Sequence, residues 1–129
     1  MPSVSLRGIR GAIDVSANDA HEILEATKEL LQEMLQKNSI VKEEIAAIIF
    51  SMTADLNAVF PAKAARQMGW TYVPLFDTSE INVPGSLSRC IRVLMLINST
   101  RTPEEIRHVY LRGAVVLRED LQTGDEYTY

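Results

Sequence analysis

The segment RCIRVLMLIN, Arg89–Asn98, is apolar from Cys90 to Ile97 except for one charge set in its middle. Such a run reads as a β-strand. Period two puts Ile91, Val93, Met95 and Ile97 on one face, and Cys90, Arg92, Leu94 and Leu96 on the other. One face belongs to a core. The other holds an arginine among apolar neighbours, which is costly unless something pairs with it.

Outward from this strand, Asp77 to Ser86 is a mostly polar loop with Pro84 and Gly85, and Tyr72 to Phe76 reads as another strand. Pro61 at a first-turn position and Gly69 bracket a short helix, Ala62–Met68. IAAIIFSM, Ile45–Met52, is too short for an independent helix and reads as a strand buried on both faces. Toward the amino terminus, Ile23, Leu24, Thr27, Leu30, Leu31, Met34 and Leu35 form one stripe at 3.6-residue spacing. Asp19 and Glu22 open that helix in the manner of a capping box, and the Lys37-Asn38 pair supplies a cationic last turn and a stop. Val4 and Leu6 alternate with Ser5 and Arg7, starting a strand that runs toward Val15 through Gly8 and Gly11. Those glycines imply bulges or close backbone approach. On the carboxyl side, Thr102, Pro103 and Glu105 open a third helix that Gly113 closes, followed by a last strand, Ala114–Leu117. The tail from about residue 120 to Tyr129 is polar and patternless and reads as mobile.

The order β, α, β, α, β, β, α, β predicts an α/β (α+β) fold, a mixed sheet packed with helices, in one domain spanning residues 1–129. With 47% hydrophobic and 23% charged residues the composition is that of a globular protein. The longest apolar run, Ile45–Phe50, is far short of a membrane span, and no apolar leader precedes the first strand, so membrane and secreted settings are disfavoured. A single cysteine, Cys90, excludes an intrachain disulfide framework. With only His21 and His108 beside it there is no metal-ligand cluster, and a reduced, cytoplasmic setting is expected. The net charge of −4 argues against general phosphate-backbone binding. Gly8-Ile9-Arg10-Gly11, read as a turn, matches the GxxG of nucleic-acid clamps, a four-residue signal that would demand strongly salt-dependent binding.

Phosphate-loop, dinucleotide, nucleophile-elbow and metal spacings are all missing. Two sheet arginines remain. Arg92 shares its face with leucines, and Arg10 shares one with Val4, Leu6 and Ala12. For either alone a buried salt bridge is the plainer reading; together they point to a site for a small organic anion, because a guanidinium keeps its charge when desolvated and offers paired donors. Lys63 and Arg66, three apart on the second helix, add positive charge on one face, which a merely solvated helix face explains equally well. Glu80, in the loop, could accept from a ligand hydroxyl or be merely solvated. Tyr110 continues the stripe of Ile106 and Val109 and would keep its hydroxyl free, while His108 lies off that stripe, exposed. Cys90 reads as a small core residue rather than a nucleophile.

The strings RGIRGA (Arg7–Ala12), TADLNAVFPAKAAR (Thr53–Arg66), GWTYVP (Gly69–Pro74), CIRV (Cys90–Val93), IRHVYL (Ile106–Leu111) and AVVLR (Ala114–Arg118) closely resemble the monofunctional chorismate mutases of the trimeric α/β class, distinct from the all-helical one. The likeness runs in order from Arg7 to about Asp120. It implies a pseudo-barrel homotrimer with active sites at subunit interfaces, and rearrangement of chorismate to prephenate in phenylalanine and tyrosine biosynthesis, without cofactor or metal. It further implies that Arg92 donates to the breaking ether oxygen, that Arg10 and Tyr110 hold the enolpyruvyl carboxylate, and that Glu80 takes the ring hydroxyl. Phe60, Ala62, Leu75 and Leu117 would form apolar walls. Lys63, Arg66 and Arg118 would lie at the mouth, with Phe76 and Asp77 near the ring hydroxyl; familiar members carry cysteine where this chain has Asp77. The alternative is a non-enzymatic trimeric protein binding a small carboxylate metabolite, since fold alone does not separate the two.

Overall fold

The structure, a computed structural model, describes residues 3–118. The expected tail lies outside the described residues. Five strands form one mixed sheet: β1 (Ser5–Asp14), β2 (Ile45–Met52), β3 (Leu75–Ser79), β4 (Cys90–Ser99) and β5 (Val109–Leu111), in the order β3-β2-β4-β1-β5. β4 lies at the centre, antiparallel to β1 and β2, while β3 and β5 pair parallel at the two edges. The long helix α1 (Ala20–Asn38) packs on β1 and β5, and the short α2 (Ala62–Gln67) packs on α1 and edge strand β3. Among the described residues no helix is long and apolar enough to cross a membrane.

Both helices cover one face of the sheet. Ile91, Val93, Met95 and Ile97 of β4 are buried there together with Ile9, Ile13, Ile48 and Phe50 and the α1 stripe of Ile23, Leu30, Leu31 and Met34. The period-two division expected for Arg89–Asn98 is therefore realised. Gly11 permits this packing: a Cβ there would lie 2.6 Å from the Met34 sulfur and 3.1 Å from Leu30. Gly11 thus marks a close approach, a Cβ at Gly8 would make only ordinary contact with Leu94 and Leu96, and neither glycine marks a bulge, because the β1–β4 register is unbroken from Ser5 to Asp14. The same pairing overturns the reading of Gly8-Ile9-Arg10-Gly11 as a turn, since a hydrogen-bonded strand cannot wrap a phosphate backbone as a loop does.

The third helix does not form. Thr102 and Glu105 close their capping box, but it holds only a 3₁₀ turn, Pro103–Glu105. Gly11, Ala12 and Ile13 then pair with residues 109–111, drawing them into β5. Propensity lost to tertiary pairing, and the β-branched Val109 favours the strand. The expected strand at Ala114–Leu117 is likewise part of a 3₁₀ segment, Arg112–Leu117, which turns back over the sheet. Tyr72–Phe76 shifts to Leu75–Ser79 because Tyr72 stands almost fully exposed in a turn and pairing with β2 begins at Pro74, whose carbonyl accepts from Ile48. β2 keeps its expected limits but is buried on one face only within the single chain.

At the start of α1 the Asp19 carboxylate accepts from the Glu22 amide at 2.9 Å, while the Glu22 side chain reaches Ser16 instead of completing the box. At its end Asn38 stays helical and Ser39 takes the left-handed conformation. Asn38 is almost fully buried: its Nδ2 donates to the carbonyls of Met34 and Arg107, both at 2.9 Å, and its Oδ1 accepts from the Arg107 amide at 2.8 Å. This one side chain fastens α1 to the approach to β5. Asn38→Ala should cost about 2 kcal/mol, read as a lower denaturation midpoint at fixed protein concentration with an unchanged slope; a loss below about 0.5 kcal/mol would contradict this role.

Candidate active site

The face opposite the helices carries the charges. One lateral row crosses all five strands: Thr78 of β3 lies opposite Ser51 of β2, Ser51 opposite Arg92 of β4, Arg92 opposite Ala12 of β1, and Ala12 opposite Tyr110 of β5. Arg92 is flanked by two small residues, which leaves room above the strand for the guanidinium. In the adjacent row Arg10 lies opposite Leu94, Leu94 opposite Ile49, and Ile49 opposite Phe76. The Arg10 amide donates to Nδ1 of the exposed His108 at 2.9 Å.

Glu80 follows directly on β3, its amide donating to the Met52 carbonyl at 3.0 Å. Its carboxylate meets Nη1 of Arg92 through Oε2 at 3.3 Å, and accepts from the Ser51 hydroxyl through Oε1. The two side chains are only 18% and 21% exposed, so the pair is held in a partly desolvated setting. Arg92 is thus both salt-bridged and aimed at the open face, and its partner is the other candidate site residue. Ser51, which the sequence reading passed over, completes the arrangement. Its signal was a hydroxyl interrupting an otherwise apolar strand, two positions from Ile49.

The base of the site is braced by short side chains. Thr53 accepts from the Cys90 amide at 3.0 Å and donates to Asp55, whose carboxylate accepts from the Arg89 amide at 2.9 and 3.1 Å. Arg89 has φ 48°, and this clamp holds β4's entry in that conformation. Its Nε donates to the Val15 carbonyl. A second, small apolar cluster lies on the charged face: Ala12, Cys90, Ala114 and Leu117, with Leu87 and Tyr110 packed against it. Leu117 and the following Arg118 therefore sit next to the row containing Arg92 and Tyr110. A cleft of about 420 Å³ runs between Thr53–Asp55 and the loop Ile81–Ser88; the Arg92 row does not line it.

Arg10, Glu80, Arg92, Tyr110, Leu117 and Arg118 belong to the charged face. Phe60, Lys63 and Arg66 lie just before or on α2, exposed and at the β3 end of the molecule. Ala62 and Leu75 pack into the main core, and Phe76, 64% exposed, projects from the charged face. Asp77 lies opposite the core residue Phe50, and its Oδ1 accepts the Ala62 amide at 3.1 Å. Burial pushes the Asp77 carboxyl above its ordinary range, against the Ala62 amide and the Arg66 charge, which act the other way. In the single chain its carboxylate is engaged with the first residue of α2.

The family model described as chorismate mutase type I matches residues 6–121. A chorismate mutase AroH of Thermus thermophilus is 53% identical over 120 residues, covering 92% of this chain and 98% of that protein. The chorismate mutase AroH of Bacillus subtilis (strain 168) is 46% identical over 117 residues, covering 90% and 92%. A solved chorismate mutase from Clostridium thermocellum superposes with a TM-score of 0.84 at 53% identity, over 85% of this chain and 98% of that one.

Cys90 is 1% exposed and burial pushes its thiol up to about 11, the Arg92 charge offsetting this only in part. At pH 8 only ~0.1% of it would be thiolate. Native protein should therefore resist a thiol reagent at pH 8 and react stoichiometrically once unfolded. Fast labelling of the folded protein would contradict the burial that supports the Arg92 row.

Proposed function

We propose, from the premise that this chain belongs to the chorismate mutase type I family and is an isomerase converting chorismate to prephenate, that catalysis centres on Arg92 and its partner Glu80. The rearrangement is pericyclic. One ether bond breaks as one carbon–carbon bond forms, no proton is transferred and no enzyme adduct arises. The protein therefore has two tasks: to hold the compact conformer of the substrate, and to stabilise the charge that develops as the ether bond lengthens.

The observation that carries this reading is the lateral row with Arg92 at its centre and Glu80 paired to it. A guanidinium has five N–H donors, so a salt bridge through Nη1 is compatible with donation to an ether oxygen. Its charge is fixed in place before substrate arrives, held by Glu80 and by the strand on which it stands, so little reorganisation is needed during reaction. Glu80 accepts the ring hydroxyl and supports the positive charge that grows on the ring. Arg10 and Tyr110 hold the enolpyruvyl carboxylate. Leu117 and Phe60 form apolar walls with Ala62 and Leu75 behind them, and Phe76 and Asp77 lie toward the ring hydroxyl. Lys63, Arg66 and Arg118 attract the dianion at the mouth.

Phe60, Lys63 and Arg66 stand apart from the Arg92 face within one chain, which supports a site completed by a second copy. The exposed apolar side chains Leu6, Leu94 and Phe76 beside the arginines support the same assembly, a homotrimer with its active sites at subunit interfaces. A reduced, cytoplasmic compartment suits a biosynthetic enzyme with one buried thiol. The reading as a non-enzymatic carboxylate binder is not favoured, because the relatives at 46% and 53% identity are mutases along nearly their full length.

Purified protein given chorismate without metal or cofactor should consume it with an acceleration on the order of 10⁶, with prephenate confirmed by acid conversion to phenylpyruvate. Arg92→Ala should lose at least ~3 kcal/mol of transition-state stabilisation, a fall of more than ~100-fold in kcat. Turnover near that of the wild type in a folded Arg92→Ala protein would remove Arg92 from the donor role. Equilibrium sedimentation checks the assembly; a monomer with full activity would overturn the interface site.

A further inference from the structure

The last strand of the charged face ends at Leu111, and the chain must then turn sharply for Leu117 and Arg118 to lie over it. Arg112 takes φ 55°, an unfavourable value for a residue with a side chain, and something must hold it there. Two contacts do so. The Arg112 guanidinium donates to the Asp14 carbonyl at 3.3 Å and pairs with Glu29 of α1 at 2.9 Å. The next amide, that of Gly113, donates to Oδ1 of Asp14 at 2.8 Å.

Asp14 is the last residue of β1, opposite Cys90 and one row from Arg92. Its carboxylate lies so close to Gly113 that a Cβ on residue 113 would collide with Oδ2 and sit 3.0 Å from Cγ. An acid at 14 and the absence of a side chain at 113 are therefore a matched pair. Beyond the joint, Ala114 and Leu117 pack on Ala12 and Cys90, and Arg118 follows with its amide on the Val115 carbonyl.

We propose that Asp14 and Gly113 are positioning residues that dock the Arg112–Leu117 turn on the sheet and so place Leu117 and Arg118 against the substrate. The inference rests on the site reading above for the roles of those two residues. The tie acts on binding and not on the chemical step, because Arg92 and Glu80 are held by β3, β2 and β4 independently of this turn.

Three variants test it: Asp14→Ala, Asp14→Asn and Gly113→Ala. Asp14→Ala should raise KM roughly five-fold to ten-fold, the equivalent of one ordinary hydrogen bond, with kcat held within about two-fold. Asp14→Asn keeps an acceptor oxygen and should restore KM, which a role for the negative charge itself would not allow. Gly113→Ala should reproduce the KM effect through collision, and combined with Asp14→Ala should give less than the product of the two single effects. Amide exchange at Gly113 gives a readout without turnover: faster in Asp14→Ala, unchanged in Asp14→Asn. An unchanged KM in folded Asp14→Ala, or a fall in kcat at constant KM, overturns the proposal. Should Asp14→Ala fail to fold, Gly113→Ala decides by the same split. If the wild type itself turns over no chorismate, the reading of the site fails, while exchange at Gly113 still decides whether Asp14 holds the turn.

Discussion

A guanidinium in the middle of the central strand is the constraint around which the rest of this molecule is arranged. Arg92 has Val93 and Ile91 as neighbours along the chain, both committed to the core, so its side chain has no choice of face. Desolvating that charge is unfavourable unless a carboxylate and further hydrogen bonds compensate it. The sheet order β3-β2-β4 provides this. β2 brings Ser51 directly opposite Arg92, and β3 delivers Glu80 at its end, where the carboxylate bridges the two. Without parallel pairing of β3 and β2 the acid would not reach the arginine. Topology and site electrostatics are here one feature.

The two faces of the sheet do different work as a result. The helix-covered face is apolar and closely packed, with Gly11 admitting Met34 and Leu30 of α1 where no side chain would fit. The other face mixes arginines with exposed leucines and Phe76, and carries its own small cluster of Ala12, Cys90, Ala114 and Leu117. That second cluster is too small to stabilise a fold by itself. It serves to seat the turn after β5 beside Arg92 and Tyr110, and it holds Cys90 as an inert, buried thiol.

Short polar side chains set the ends of the elements. Asn38 joins α1 to the segment before β5, the Thr53–Asp55 turn grips the entry to β4, and Asp14 grips the exit from β5. Each satisfies backbone groups of a segment distant in sequence. Each also supports a non-glycine residue in, or next to, an unusual backbone conformation: Ser39 after Asn38, Arg89 beside Asp55, Arg112 beside Asp14. At Arg89 and Arg112 that conformation is sustained by hydrogen bonds to distant segments, from the Arg89 amide to Asp55 and from the Arg112 guanidinium to Asp14 and Glu29, whereas Ser39 caps α1 by donating to the carbonyls of its own last turn.

The elements legible in the sequence are those whose reason is local. The 3.6-residue stripe makes α1, period two makes β1 and β4, the Pro61–Gly69 bracket makes α2, and the isoleucine run makes β2 at its observed limits. The site arginines were visible as well, as charges on faces where charge is unfavourable. Local signals failed at residues 102–117: a correct capping box opened a helix that ended after one turn, because the backbone of Gly11–Ile13 took up residues 109–111 as a strand. Asp77, expected in the loop, instead lies within β3 opposite the core residue Phe50, because pairing with β2 carries the strand on to Ser79. What the residues by themselves determined is which segments are helix or strand and which charges must find partners. Only the tertiary structure decided which partner each charge met, and that Tyr110 joins Arg92 and Ser51 in one row. Register between strands as distant as β1 and β5 is chosen by the summed burial and hydrogen bonding of the whole sheet, to which no single stretch of sequence holds the key.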